Sequence, residues 1–391
     1  MLSVIFAGDV AFNSIEDTFD YAYSKEVLRE LRPVLFGADL RVVNLENPLA
    51  PAGMGAPIRK SGPNLLGRPK NIGFLTAGRF DCAVLANNHF GDYGPDVCIN
   101  TLRLLRESGI AYVGGGRNID EAYAAWRVEK KGVRFSLVAV CENEFGIATR
   151  EAPGAAGFSY SRLGARLREE KAVSDYVVVE FHGGCEHNPV PSPGAVERYR
   201  TICDLGADAV VAMHTHCPQG WEMYGGKPII YSLGNFYFPR SSSPKPAGSP
   251  WYYGYMARLS FDGGTVTPEF FPYVCAPDGS RLHAFVGEDY EKFIDYLEKI
   301  SAPIADDITL EALYSGWVAA NSYPRGLQFR EGFTSDETSP DEKSLPGVKN
   351  LLGCEAHNEV CRTYLRLAFE GRLSESAAQT ARLNELKVMP V

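Results

Sequence analysis

Five short apolar runs in this chain each end on side chains able to hold a metal ion. They read VIFAG before Asp9, RVVNL before Glu46, AVLAN before Asn88 and His89, YVVVEF before His182, and AVVAM before His214 and His216. Two carboxylates, an amide oxygen and imidazoles make a mixed oxygen and nitrogen donor set. Such a set suits manganese, iron or zinc better than magnesium or calcium. One or two ions held this way would polarise a phosphoryl or acyl oxygen and acidify bound water, and the resulting chemistry is hydrolysis. Four of the seven histidines fall at these run ends, which scattered surface histidines would not do.

Each residue also has a plainer reading. Asp9 follows Gly8, which permits close backbone approach, and alone it fits a ligand or a helix N-cap equally well. Glu46 precedes Asn-Pro, a context that suits a turn. In ANNHFGDYG, Asn88 offers an amide oxygen and His89 is placed to protonate a leaving group. Asp92 either orients His89 or caps the next helix, and the cap is the favoured reading. His182 taken singly reads more readily as a packed histidine than as a ligand. His214 and His216 reverse that balance, because side chains at i and i+2 of an extended segment project to one face.

Runs of about five aliphatic residues are what strands buried on both faces require, and ligands in open α/β sheets gather at the carboxyl ends of such strands. From residue 1 to about 275, short strands alternate with amphipathic segments at Asp17–Leu31, Asp96–Ser108 and Ser192–Leu205, the pattern of an α/β domain. Between Ala209 and Phe271 the strands crowd together. AVVAMH, KPIIYSLGNFYF and YYGYMARLSFDGGTVTPEFFPY, with Gly-Gly turns at 225–226 and 263–264, predict hairpins and a mixed sheet. The Pro/Ser-rich segment Pro239–Pro250 fits a lid or a solvated loop equally. Residues 276–391 read as a mostly helical C-terminal extension with helices near 287–300, 308–321 and 352–370. The polar stretch Glu331–Lys349 between them is expected to be poorly ordered.

The 391 residues carry a net charge of −9, which argues against nucleic acid or an anionic membrane as partner. An anionic substrate stays open if metal supplies positive charge. The opening MLSVIFAGDV is too short for a signal segment and no later stretch is long enough to span a membrane, so the chain is read as soluble and cytoplasmic. Nine cysteines without framework spacing fit reduced thiols, and the absence of a C-x-x-C pair argues against structural zinc.

With these pieces assembled, the sequence resembles the CapA family, named for poly-gamma-glutamate capsule biosynthesis, within the calcineurin-like metallophosphoesterase superfamily. The matching pieces are GDV at 8–10, NLENP at 44–48, ANNHFGDYG at 86–94, GGGRN with EA at 114–122, FHGGCEHNPVP at 181–191 and the block from Gly206 to Phe238. The resemblance implies a sandwich of two mixed β-sheets flanked by helices, with a dimetal centre at one end and residues 1–275 as the catalytic domain. It implies metal-binding roles for Asp9, Glu46, Asn88, His182, His214 and His216, and an acid role for His89. It brings Asn235 near the pocket and makes Glu186 and His187 candidates for substrate contact; Lys60 and Arg59 are candidates for anion contact. Many superfamily members carry a histidine two residues after the first aspartate. Here Ala11 stands there, so one metal position is expected to be weak or empty. Capsule-pathway members usually carry an N-terminal membrane anchor, which this sequence does not display.

Three functions are compatible with this reading. The first is a metal-dependent hydrolase of a phosphoester or related small anionic substrate. The second is an enzyme acting on gamma-glutamyl amide bonds, and the third is a non-catalytic accessory subunit of a polyglutamate or polysaccharide assembly complex, docked through its helical tail.

Overall fold

The computed structural model describes residues 1–12, 20–239, 245–322 and 344–391. The first half of the chain lays down β1 (Leu2–Val10), β2 (Leu40–Leu45), β3 (Cys82–Val84), β4 (Ala111–Val113), the two-residue β5 (Gly115–Gly116), β6 (Trp126–Lys130), β7 (Val133–Cys141), the two-residue β8 (Gly154–Ala155) and β9 (Tyr176–His182). There follow β10 (Ala209–Met213), β11 (Trp221–Tyr224), β12 (Lys227–Ile230), β13 (Asn235–Tyr237), β14 (Tyr253–Asp262), β15 (Thr265–Cys275) and β16 (Leu282–Ala284).

These strands form two large mixed sheets, as expected. One runs β16-β15-β14-β1-β2-β3-β4 with β13 also paired to β1, and the other runs β11-β12-β10-β9-β7-β6. In the first, β1 to β4 are parallel and β14 to β16 antiparallel. In the second, β7, β9, β10 and β12 are parallel, with β6 and β11 antiparallel at the edges. The sheets face one another through aromatic pairs: Phe261 of β14 meets Phe135 of β7 at 5.4 Å and Tyr176 of β9 at 5.1 Å, and Trp221 of β11 meets Phe270 of β15 at 5.0 Å.

Helices cover the outer faces, which is why every residue of β9 and β10 is buried. The helix Pro193–Asp204 packs on β10 and β12, and its start is set by the Ser192 hydroxyl accepting from Ala195 N–H and by Pro193 in the first turn. Its buried Val196, Tyr199, Ile202 and Cys203 make the single apolar stripe that seats it. All nine cysteines are free thiols.

Three local expectations need correction. KPIIYSLGNFYF is two strands in different sheets: β12 belongs to the second and β13 to the first, and Tyr231–Gly234 crosses between them. The crossing is pinned on both sides, Leu233 N–H donating to Ala212 O at 3.1 Å and Asp9 N–H donating to Gly234 O at 3.3 Å. The first helix spans only Tyr21–Val27, capped by Asp20, and Leu28–Leu31 form a turn before the next helix, Arg32–Gly37. The end of the stretch expected to be poorly ordered forms a helix, Ser344–Gly353, because Val348 and Leu351 bury against the protein. Residues 331–343 of that stretch, and 240–244 of the Pro/Ser-rich segment, lie outside the described residues.

Beyond β16 the described chain is helical, at Glu288–Ser301, Asp307–Asn321, Ser344–Gly353, Glu355–Phe369, Leu373–Ala377 and Thr380–Leu386. Their buried residues, among them Phe293, Leu313, Trp317, Val360 and Leu386, belong to one hydrophobic core with the sheets. Among the described residues, no helix is long and apolar enough to cross a membrane.

Candidate metal centre

The carboxyl ends of parallel strands from both sheets meet at one rim. Near the end of β1, register against β2 shifts between Ala7 and Asp9. The cause is Gly8, where an added Cβ would lie 1.9 Å from the carbonyl oxygen of Gly234 in the crossing segment. The irregularity bends the strand and re-aims the aspartate. Asp9 is fully buried; its Oδ1 accepts from Asn44 Nδ2 at 2.7 Å and its Oδ2 from the His214 backbone N–H at 3.1 Å. It therefore caps none of the described helices.

His182, His214 and His216 come from the other sheet, while His89 follows β3 of the first. His182 Nδ1 lies 3.7 Å from Asp9 Oδ1, and His216 Nδ1 lies 3.9 Å from Asp9 Oδ2. His216 Nε2 and His89 Nε2 stand 3.9 and 3.8 Å from Glu46 Oε1. His182 Nε2 is 3.1 Å from Asn88 Oδ1 and 3.0 Å from His214 Nδ1. Donor atoms of Glu46, His182 and His214 lie within 4.8 Å of one another, as do those of Asp9, Glu46 and His216, so two overlapping triads share Glu46. His214 and His216 do not converge by strand alternation. β10 ends at Met213, and both residues take left-handed backbone, with φ of 100° and 55°. Strain of this kind costs on the order of 1–3 kcal/mol per residue and is characteristic of functional sites.

His89 sits on a supported pair. Its Nδ1 is 2.6 Å from Asp92 Oδ2, while Asp92 Oδ1 binds Lys60 Nζ at 2.5 Å and Leu65 N–H donates to Asp92 Oδ2 at 2.7 Å. Asp92 is thus the orienting residue rather than the helix cap, a position Gly94 holds before Pro95. Lys60 is buried against Asp92 and His89 rather than solvated, whereas Arg59 is exposed. Asn235 is also turned inward: His216 Nδ1 and Asn235 Oδ1 are 2.8 Å apart, and its amide donates to Trp251 O at 3.0 Å, so it orients a histidine and leaves little to offer a substrate. Glu186 and His187 form the outer rim, their side chains 47 and 45 % exposed. Ala11 is buried and brings no donor.

Burial dominates the electrostatics. It raises the Asp9 carboxyl to about 6 against the Asn44 hydrogen bond and the His214 imidazole, and it raises Glu46 well above the usual range, with Asp9 adding to the effect. Burial likewise holds His182 well below the ordinary imidazole range and His216 at about 3. His89 is lowered by burial and then by Lys60, with Asp92 opposing.

The donor set fits a divalent cation. Both carboxylate oxygens of Glu46 are buried and, among the described residues, have no hydrogen-bond partner. An unpaired buried carboxylate costs several kcal/mol, and a cation between Glu46, Asp9 and the neutral imidazoles removes that cost.

Several residues escaped the sequence reading. Asn44 stands two residues before Glu46 on the same strand face, a spacing that marks it; its Oδ1 accepts from Asn87 Nδ2 at 3.0 Å. Glu144 follows β7, a sixth apolar run with an acidic end, and its Oε1 lies 3.8 Å from His214 Nε2. Glu180 is a buried carboxylate of β9, unpartnered among the described residues, whose ionisation burial and then Asp9 suppress. Trp251, 4.6 Å from His216 between ring centroids, carried no sequence signal.

Comparison with known proteins supplies relatives. Residues 3–240 match the family described as bacterial capsule synthesis protein PGA_cap. The chain is 28 % identical over 246 residues to the capsule biosynthesis protein CapA of Bacillus anthracis, covering 61 % of this chain and 60 % of that protein. It is 26 % identical over 242 residues to the PGA biosynthesis protein CapA of Bacillus subtilis (strain 168), covering 61 % and 63 %. A probable polyglutamine synthesis accessory protein of Mycobacterium tuberculosis is 29 % identical over 210 residues, covering 50 % and 55 %. The alignments thus span about three fifths or less of these relatives' length. Among solved structures, a putative 5'-nucleotidase from Staphylococcus aureus aligns with a TM-score of 0.41 at 15 % identity, over 76 % of this chain and 58 % of that one.

Proposed function

The chain belongs to the PGA_cap family of bacterial capsule synthesis proteins, and from that footing we propose that it is a metal-dependent hydrolase of an anionic, phosphoester-like substrate. The observation that carries this reading is Glu46, a buried carboxylate shared by two triads with both oxygens unpartnered among the described residues. Asp9, Glu46, Asn88, His182, His214 and His216 would hold one or two ions of manganese, iron or zinc. Such ions supply Lewis-acid polarisation and activation of water when bound.

The chain's own residues then divide the work. Asp9 is held by Asn44 and the His214 amide, and His216 by Asn235, so the donors are oriented before any ligand arrives. Asp92 accepts the Nδ1 proton of His89, which leaves Nε2 on the side of Glu46. To act as the acid His89 would first take up a proton at Nε2, released by the attacking water, and then pass it to the leaving oxygen and return to the neutral ring. Lys60 balances the charge of Asp92 and keeps the pair fixed. Burial of the centre excludes bulk water from these transfers.

The test is a panel of p-nitrophenyl phosphate, its bis ester and gamma-glutamyl peptides with added manganese. Phosphoester turnover that His89→Ala abolishes while metal is retained supports the proposal. Gamma-glutamyl release without phosphoester turnover moves the same site to amide chemistry. The name of the mycobacterial relative favours a second reading, an accessory subunit in polyglutamate synthesis. Metal binding with every substrate inert, together with recovery of a synthase subunit in pull-down, would favour it.

A further inference from the structure

Beside the metal centre lies a small cavity of about 170 Å³ that the hydrolytic steps do not use. His187, Lys245, Trp251, Tyr296 and Lys387 line it. It shares a wall with the centre: the Trp251 ring lies 4.6 Å from His216 and 5.9 Å from His187, and His187 lies 6.2 Å from His216 between centroids. A group bound here is therefore one aromatic ring away from a proposed ligand.

The cavity's charge is positive. Among the described residues neither Lys245 nor Lys387 is paired with a carboxylate; Lys245 instead lies over the Trp251 ring at 5.3 Å. Two unneutralised lysines converging on one pocket in a chain of net charge −9 are a local exception that needs a reason.

Lys387 belongs to the helical tail, and the tail is fastened where it enters the cavity. Tyr296 Oη donates to Leu386 O at 3.0 Å, Tyr253 Oη donates to Val391 O at 2.6 Å, and Leu383 and Leu386 are buried. The anchor residues flank Lys387 on both sides in sequence, so the position of its ammonium is built rather than incidental.

We propose that this cavity is an oxyanion subsite of the enzyme, in which Lys245 and Lys387 hold a carboxylate or phosphate of the substrate at a fixed distance from the bond being cut while Trp251 packs against its apolar stem. The C-terminal extension is then a specificity element of the active site. The inference rests on the hydrolase reading above for its role, and on the cavity alone for its chemistry.

The test is isothermal titration calorimetry of the full-length protein with a gamma-linked glutamate pentamer and, separately, tripolyphosphate, at low and high salt. Variants are the uncharged K245M/K387M, the charge-retaining K245R/K387R and Glu46→Gln. The expected result is salt-sensitive binding of at least one anion, weakened about tenfold or more in K245M/K387M and kept in K245R/K387R. Which of the two anions shows this pattern identifies the oxyanion as carboxylate or phosphate. Binding should persist in Glu46→Gln, so loss of the hydrolase reading would leave the subsite standing. Equal binding by the wild type and K245M/K387M, no binding of either anion to the wild type, or binding lost only in Glu46→Gln would overturn the proposal; the last result would leave the hydrolase reading intact. Thermal unfolding of K245M/K387M and K245R/K387R, expected at the wild-type midpoint, confirms that weakened binding reports the missing charges.

Discussion

Replacing Glu46 by glutamine should make the metal-free protein more stable and the metal-loaded protein less stable than wild type. The magnitude can be bounded from Asp9. Its carboxyl is moved from 3.8 to about 6, which corresponds to about 3 kcal/mol of destabilisation above that pH. Glu46 lacks the hydrogen bonds that restrain Asp9, so its penalty is at least as large. Glutamine still buries an unpaired amide, costing roughly 1–3 kcal/mol, which leaves a net gain of up to about 2 kcal/mol. The sign with pH follows from proton binding. A carboxyl raised above its unfolded value contributes least when ionised, so the variant's advantage is full above the folded pKa and disappears below the ordinary 4.5 of glutamate. At pH 7.5 the lowered His89, His182 and His216 are neutral in the folded chain and drop out of the comparison. His216, held at about 3, acts with the opposite sign: its contribution is complete above 6.5 and is lost on acidification.

The assay is thermal unfolding at pH 7.5 with a chelator and with excess manganese. A gain of up to about 2 kcal/mol in a chain of this size moves Tm by up to about 3 °C. A thousandfold excess of metal over its dissociation constant adds about 4 kcal/mol to wild type, and little or nothing to the variant. The predicted order is wild type with metal highest, the variant in either buffer in the middle, and chelated wild type lowest. A chelated Glu46→Gln protein no more stable than chelated wild type, or a variant with the full metal-induced gain, would refute the reasoning.

Other perturbations separate the roles of neighbouring groups. Asp92→Asn should lower turnover of a phosphoester by about 10²–10⁴-fold with metal content unchanged, since it disrupts the His89 and Lys60 pairing and none of the proposed metal ligands; steady-state kinetics beside elemental analysis checks this. Gly8→Ala should destabilise the protein by about 1–3 kcal/mol and reduce metal content as well, because its Cβ would meet the Gly234 carbonyl at 1.9 Å; unfolding curves and elemental analysis report both effects. Asn350 of the tail donates to Glu144 Oε2 at 3.1 Å, and Glu144 faces His214. Asn350→Ala should therefore weaken metal affinity about 10–100-fold, read by chelator competition.

Much of the architecture was legible because burial on both faces writes strands as nearly unbroken apolar runs. β9 and β10 read directly as YVVVEF and AVVAM, and the Gly-Gly turns marked the hairpins. What failed was non-local. KPII and NFY are both apolar, and nothing in their composition tells which sheet each joins; the crossing is set by contacts with Ala212 and Asp9, far away in sequence. Left-handed backbone at His214 and His216 has no marker, because only glycine advertises it. By contrast the dual reading of Asp92 was resolvable: Pro95 in the first helical turn assigns the cap to Gly94. The helix at 344–353 was missed because Val348 was averaged into a polar stretch that ended at Lys349, short of Leu351. In the site itself, Asp9, Glu46, Asn88, His89, His182, His214 and His216 are brought within reach of one another, while Asn44 and Glu144, which support them, were readable only from strand-face spacing and run ends.

The most direct test of the central claim is elemental analysis of the full-length protein equilibrated with manganese, iron and zinc and freed of loosely bound ions. The account predicts about one to two equivalents of bound metal, kept in His89→Ala and lost in Glu46→Gln and His214→Ala. Wild-type protein that holds none of the three metals, or Glu46→Gln protein that holds as much as wild type, would contradict it.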